Sequence, residues 1–231
     1  MRQIIAIGGG GFGRTIHSKL IEEYILNQST QKSPNICFIP TATGDSEDYI
    51  ENFYRVFSKL NCKPSHISFF KRTTDLKLHI GKQDIVFVGG GNTKSMLAVW
   101  GEWGLDELLK NAYKKGTIMC GVSAGAICWF ENGLTDSWED ELKLMPCLGF
   151  VPGNCAPHYD EEPERRPATK KLLVEGKISS MYGVEGGAAL HLINEKPIKT
   201  VQFVKEKNSY IVSYSNNIFD EKKFKAESIV L

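Results

Sequence analysis

Short apolar runs alternate with amphipathic stretches through the first half of the chain. Residues 3–7 form a β-branched run that halts at four consecutive glycines, and apolar residues at 16, 20, 21, 25 and 26 predict a helix over 16–26. Residues 36–39 read as a second strand, closed by Pro40. A helix over about 46–60 follows, in which Ile50, Phe53, Val56, Phe57 and Leu60 recur at three- and four-residue spacing. Residues 67–70 are a third strand candidate and residues 85–88 a fourth, which runs straight into Gly89-Gly90-Gly91-Asn92. Helices over 93–99 and 105–114 precede a fifth apolar run at 117–122. Strands that are short and apolar throughout, alternating with helices, predict a parallel sheet covered on both faces.

After Leu134 the texture changes. Residues 133–160 read as loop-rich, 164–173 as helical, and 180–184, 188–192, 200–204 and 210–213 as late strands whose hairpins make the sheet mixed. No repeat, low-complexity tract or linker divides the chain, so residues 1–231 are expected to form one α/β domain.

Composition narrows the function classes. Lys plus Arg number 28 and Asp plus Glu 27, a net charge of +1 that lacks the basic excess of a nucleic-acid binder. No apolar run approaches the roughly 18–20 residues of a membrane helix. The apolar stretch behind Met1 is too short for a signal peptide, so a cytoplasmic protein without a membrane partner is expected. Six cysteines lie far apart with no C-x-x-C pair, which predicts reduced thiols. A zinc site would need clustered ligands, and the cysteines and histidines do not supply such a set, so no metal site is expected.

In open α/β sheets, sites form beyond the carboxyl ends of the strands. Gly121-Val122-Ser123-Ala124-Gly125 has G-x-S-x-G spacing at the end of an apolar strand, and the residues that follow can begin a helix. That strand–turn–helix setting lifts a serine hydroxyl out of a sharp turn and makes Ser123 a candidate nucleophile. The alternative is a Gly-rich turn whose serine caps a helix. Gly89-Gly90-Gly91-Asn92 supplies unhindered backbone N–H groups at another strand end; it also reads as a tight turn before a helix capped by Asn92 or Thr93.

A serine nucleophile needs a base. His17 falls inside the first helix, His66 and His79 flank modest strands, and His191 lies in a late strand. His158, in a polar loop after Pro157, is free to reach a strand end, and His191 is the reserve candidate.

Taken together, Phe87-Val88-Gly89-Gly90-Gly91-Asn92-Thr93, Gly121-Val122-Ser123-Ala124-Gly125-Ala126 and Pro157-His158, with Ile39-Pro40-Thr41-Ala42, resemble the peptidase E (aspartyl dipeptidase) and cyanophycinase family of serine peptidases. The chain is similar in particular to its bacterial peptidase E-like members. The resemblance runs from the first strand to about residue 190. It implies a class I glutamine-amidotransferase-like fold: a three-layer sandwich whose mostly parallel sheet has helices on both faces and late antiparallel strands. It also implies a cofactor-free dipeptidase acting on short peptides through an acyl-enzyme. Ser123 would be the nucleophile and His158 the base, with Gly90, Gly91 and Ala124 donating to the oxyanion and Asn92 near the substrate. The third catalytic member is implied to be either Glu185, at a late strand end before a glycine pair, or Asp136, in the loop between serine and histidine. Preference for an N-terminal aspartate would need a cation, and Arg165 and Arg166 stand just beyond His158. The neighbouring Glu161, Glu162 and Glu164 could neutralise those arginines or hold a substrate amino group. A homodimer is compatible with the sequence.

Two rival readings follow from other features. Gly8 to Gly13 satisfies the G-x-G-x-x-G dinucleotide fingerprint, but the second strand ends in Ile39-Pro40-Thr41 without the acid such a site uses. Ser123, Asp136 and His158 also follow the Ser–acid–His order of an α/β-hydrolase esterase, although only 22 residues separate that acid from that histidine.

Overall fold

The computed structural model of the chain describes residues 1–12, 19–138 and 141–230. Gly13, His17 and the first residues of the expected 16–26 helix lie outside this set; the described part of that helix is α1, Leu20–Leu26. The apolar runs of the first half become strands β1 (Gln3–Ile7), β2 (Asn35–Ile39), β4 (Ile85–Val88) and β5 (Ile118–Val122), with β3 at Lys63–His66. Between them lie α2 (Glu47–Phe57), α3 (Leu76–Ile80), α4 (Thr93–Trp103) and α5 (Leu105–Lys115).

Past β5 come α6 (Ala124–Ile127), β6 (Phe130–Thr135), β7 (Lys143–Pro146), β8 (Val151–Ala156), α7 (Arg165–Val174) and β9 (Ser180–Val184). The described chain closes with β10 (Ala188–Ile193), β11 (Lys196–Gln202), β12 (Ser209–Ser215), β13 (Ile218–Lys223) and β14 (Ala226–Ser228).

The strands form two sheets instead of the one expected. An eight-stranded sheet runs in the order β14-β11-β10-β1-β5-β4-β2-β3. Its β1, β5, β4, β2 and β3 pair in parallel, and β10 joins β1 antiparallel. Alternation along β1 sends Ile5 and Ile7 into a core with Ile21 and Ile25 of α1 and Phe53 and Phe57 of α2. Ile4 and Ala6 face the other way, into a core with Met96 and Trp100 of α4 and Leu109 of α5. Both faces are therefore dry, which is why these strands carry no polar alternation.

The second sheet, β13-β12-β9-β8-β6-β7, packs Leu134, Met181 and Val212 against Leu173 of α7. Much of it comes from the stretch expected to be loop. Val151-Pro152-Gly153-Asn154-Cys155-Ala156 reads as a turn by composition, yet it forms β8, held parallel to β6 and β9.

The third strand also differs from expectation. Residues 67–70 lie just past β3, with Ile67 and Phe69 buried as plugs while the Asp45 carboxylate accepts from the Phe69 and Phe70 N–H groups. The strand itself, Lys63-Pro64-Ser65-His66, is the sheet's edge, where a proline and polar side chains are tolerated.

Candidate active site

β1 and β5 are adjacent and parallel, so their carboxyl ends open at one edge of the sheet. Two consecutive carbonyls at the end of β1 suspend two candidate catalytic residues. Ile7 O accepts from the Ser123 N–H at 3.1 Å, and Gly8 O accepts from the His158 N–H at 3.0 Å. Ser123 follows β5 of the first sheet, and His158 follows β8 of the second. The Gly-rich end of β1 is therefore the seam that brings the two together.

Ser123 has φ 57° and ψ −114°, a conformation that L-residues rarely adopt, and it is half-buried. Its carbonyl accepts the first bonds of α6, from the Ala126 and Ile127 N–H groups at 2.9 and 3.0 Å, and no side-chain cap is formed. The hydroxyl thus does not cap the helix, the alternative role its turn allowed. Ser123 and His158 line one cleft of about 390 Å³, with no direct hydrogen bond between them among the described residues. In substrate-free enzymes such contacts are often long and tighten on binding.

His158 is buried, at 5% exposure, with φ 49°. Its Nδ1 lies 2.6 Å from Glu161 Oε2. The turn is closed by the Glu161 and Glu162 N–H groups, both donating to His158 O at 3.1 Å. With Nδ1 engaged by a carboxylate, Nε2 is the nitrogen left to exchange a proton across the cleft.

Close packing enforces this pair. A Cβ on Gly9 would stand 2.6 Å from Glu161 Oε2 and 2.8 Å from His158 Nδ1, so only glycine leaves room for the pair there. The glycine loop that matched a dinucleotide fingerprint is, at Gly8 and Gly9, the bed of the histidine.

Neither acid expected to orient His158 contacts it. Glu185 is buried on the other side of its own turn: Oε2 accepts from the Asn208 N–H at 2.7 Å, and Oε1 accepts from the Tyr210 hydroxyl at 2.9 Å and lies 3.4 Å from Arg166 Nη2. Burial, and then the Glu185 carboxylate, push the Tyr210 phenol up to about 12, so it remains the donor. Asp136 is 71% exposed and lies 3.9 Å from Arg165 Nη2.

The two arginines are committed as well. Arg165 is buried; its Nε donates to Glu162 Oε2 at 2.7 Å and its Nη1 to Leu134 O at 2.6 Å, tying α7 to β6. Arg166 pairs with Glu221 and stacks 4.4 Å above the Tyr159 ring. Neither lines the cleft. Glu162 thus neutralises Arg165 as anticipated, whereas Glu161 serves the histidine. The reserve base, His191, is sealed between the Tyr24 hydroxyl at 2.7 Å and Gln3 Oε1 at 3.0 Å, and burial, then Lys199, push its pKa down to about 4.

Gly90 lies against Ser123, since a Cβ there would stand 3.2 Å from Ser123 Cβ. Gly91 has φ 136°, and a Cβ would strike the Ala42 carbonyl. The N–H groups of Gly90 and Gly91 have no backbone acceptor among the described residues, and Ala124 opens α6. Asn92 caps α4 instead of lining the cleft: its Oδ1 accepts from the Ser95 N–H at 2.9 Å and its Nδ2 donates to Ser137 O at 3.2 Å.

The rest of the cleft comes from Gly10 and Val122 and from a segment that the motifs did not mark, Thr43, Ser46, Asp48, Tyr49 and Asn52. Glu161 had a signal in the sequence: an acid three residues after a histidine on a turn entered through proline. Among the described residues no group of three or more His, Cys, Asp or Glu could hold a metal ion, and no helix is long and apolar enough to cross a membrane. The six cysteines are free.

The sequence profile of peptidase family S51 matches residues 4–200. The uncharacterized peptidase YgaJ of Bacillus subtilis is 49% identical over 202 residues, 87% of either chain. Peptidase E of Streptomyces coelicolor is 26% identical over 196 residues, covering 80% of this chain and 79% of that one. The crystal structure of a peptidase from an acI-B1 actinobacterium superposes with a TM-score of 0.64 at 17% identity, over 98% of this chain and 95% of that one, which establishes a shared fold. With its seam of glycines, its strained serine and its paired histidine at the positions the motifs indicated, the chain belongs to peptidase family S51.

Proposed function

We propose that the protein is a serine exopeptidase of short peptides, with Ser123 as nucleophile, His158 as base and Glu161 as the carboxylate that orients it. The observation that carries this reading is the cleft shared by a strained serine and a histidine whose far nitrogen is held at 2.6 Å by an acid. Ser123 Oγ attacks the peptide carbonyl carbon while His158 Nε2 takes its proton. The Gly90, Gly91 and Ala124 amides are the donors for the resulting oxyanion, an interaction worth about 3 kcal/mol per donor in acyl-transfer enzymes. The C–N bond then breaks, His158 returns the proton to the departing amine, and water hydrolyses the Ser123 ester by the same proton route. Glu161 fixes the imidazole tautomer and stabilises the imidazolium as it forms.

Each step uses groups of the chain and water alone. Six free thiols fit a reducing, cytoplasmic setting, and we read the two-faced sheet as class I glutamine-amidotransferase-like. An N-terminal aspartate preference is not part of this proposal, because Arg165 and Arg166 are bound elsewhere.

A fluorophosphonate probe tests the assignment. Wild-type protein should be labelled once, on Ser123, and Ser123→Ala should not be labelled. Labelling that persists in Ser123→Ala, or none in the wild type while a dipeptide is hydrolysed, would remove Ser123 from the mechanism.

A further inference from the structure

The cleft has a second side whose chemistry the peptidase mechanism leaves unused. Ser46 is the residue before α2, Asp48 lies in the first turn of that helix, and Asn52 follows Asp48 by one turn, so the two share a helix face. Ser46 makes no side-chain cap bond, and among the described residues Asp48 has no ion pair and Asn52 no side-chain hydrogen bond. Among the described residues, three side chains with oxygen acceptors, one of them a carboxylate, therefore line the cleft without internal partners. Tyr49, between them, is fixed by ring contacts with Phe38 at 4.9 Å and Phe12 at 5.3 Å, which anchors this part of α2 on the sheet.

Asp48 is the one carboxylate lining the cleft among the described residues, beside the His158 imidazole and the Tyr49 phenol. A carboxylate, an amide oxygen and a hydroxyl match the three N–H donors of an ammonium group. The same carboxylate disfavours a substrate carboxylate.

We infer that Asp48, assisted by Asn52 and Ser46, is a specificity residue that holds a cationic group of the substrate, and that the enzyme selects against an N-terminal aspartate. This rests on the serine peptidase reading for the orientation of the peptide. The cation has two sources in a short peptide, the α-ammonium group or a lysine or arginine side chain.

The test measures binding, so that it stands apart from the chemistry. Ser123→Ala protein is titrated calorimetrically with four peptide amides: Nle-Ala-amide, acetyl-Lys-Ala-amide, acetyl-Nle-Ala-amide and Asp-Ala-amide. At least one of the first two should bind about tenfold more tightly than the uncharged acetyl-Nle-Ala-amide, and which one does so identifies the cation. Asp-Ala-amide should bind more weakly than Nle-Ala-amide. Adding Asp48→Asn should shrink the cationic advantage to within threefold, and adding Asp48→Lys should reverse the order of Nle-Ala-amide and Asp-Ala-amide. The inference is overturned if no peptide binds, if the advantage survives Asp48→Asn, or if Asp-Ala-amide is the tightest ligand of the Ser123→Ala protein. Failure of the nucleophile assignment registers separately, in the labelling of the wild type.

Discussion

His158 and Glu161 form a pair 2.6 Å apart on a single turn, whereas the acid at the late strand end, Glu185, spends its oxygens on Asn208 and Tyr210. This division of labour separates two carboxylates by what their removal should do. Glu161→Gln keeps the shape of the side chain but removes the charge that, in the proposed mechanism, stabilises an imidazolium. Its kcat should fall by about a hundredfold or more with little change in folding stability. Glu185→Gln should instead keep kcat within about threefold and lower stability by about 1–2 kcal/mol, because it disturbs a buried hydrogen-bond set. Steady-state kinetics beside urea titrations of both variants decide between them; the reverse pattern would return the catalytic role to Glu185.

Gly9 tests the same pair from below. A methyl group there must push Glu161 or His158 aside, since both atoms stand within 2.8 Å of its place. Gly9→Ala should lose at least about tenfold in kcat while folding at a cost of about 1–3 kcal/mol, the usual range for overpacking. Wild-type kcat in a folded Gly9→Ala protein would show that the pair has slack.

These contacts mark where the sequence was legible. The strands of the first sheet could be read because both faces are buried, so Ile4, Ile5, Ala6 and Ile7 are apolar without interruption. β8 could not, because a strand holding Pro152, Gly153 and Asn154 is stabilised by neighbours far along the chain and not by its own composition. β3 was displaced by four residues because edge strands tolerate polar residues and the adjacent Ile67 and Phe69 plug the core. At the candidate site, the sharp turn at Ser123 was legible from its G-x-S-x-G spacing after an apolar strand, and the Gly90–Gly91 corner from its run of glycines, where a Cβ on Gly91 would strike the Ala42 carbonyl. The contact between Glu161 and His158 was not, since spacing along the chain does not say which of several carboxylates a tight turn brings to the imidazole.

Backbone strain at Ser123, the proposed nucleophile, supplies another prediction. Ser123 holds φ 57° and ψ −114° with a Cβ present. Such conformations cost about 1–3 kcal/mol, which glycine largely avoids. Both Ser123→Ala and Ser123→Gly should be inactive, but Ser123→Gly should be the more stable by about 1 kcal/mol after the extra chain entropy of glycine is subtracted. Urea midpoints at constant m-value provide the comparison. Equal stabilities would mean the turn is unstrained.

Arg165 was a candidate for substrate recognition and sits instead between Glu162 and the Leu134 carbonyl. Arg165→Lys retains the charge but loses the two-armed geometry. It should destabilise the fold by about 2 kcal/mol and leave the ratio of kcat/KM values for Asp-X and Ala-X dipeptides unchanged. A shifted ratio without loss of stability would restore a substrate role.

The last prediction concerns pH and comes from His191, away from the cleft. Its imidazole is sealed between Tyr24 and Gln3, and burial holds its pKa near 4 against an ordinary 6.5. The unfolded chain takes up a proton at this site as the pH falls through about 6.5, while the folded chain does not until about 4. Protons therefore favour the unfolded state across that window, and stability should decline from pH 6.5 to pH 4 by about 2–3 kcal/mol from this residue alone. Glu22 opposes it: burial raises its carboxyl to about 7, so its contribution improves as the pH falls from 7 towards 4.5. The two act over overlapping ranges with opposite sign, so the wild-type curve should be flatter than either residue dictates. Removing one exposes the other. His191→Gln should gain stability on acidification relative to wild type between pH 6.5 and 4.5, and Glu22→Gln should lose it. Unfolding free energies measured across that range, with the variants' curves running parallel to the wild type's, would refute both assignments.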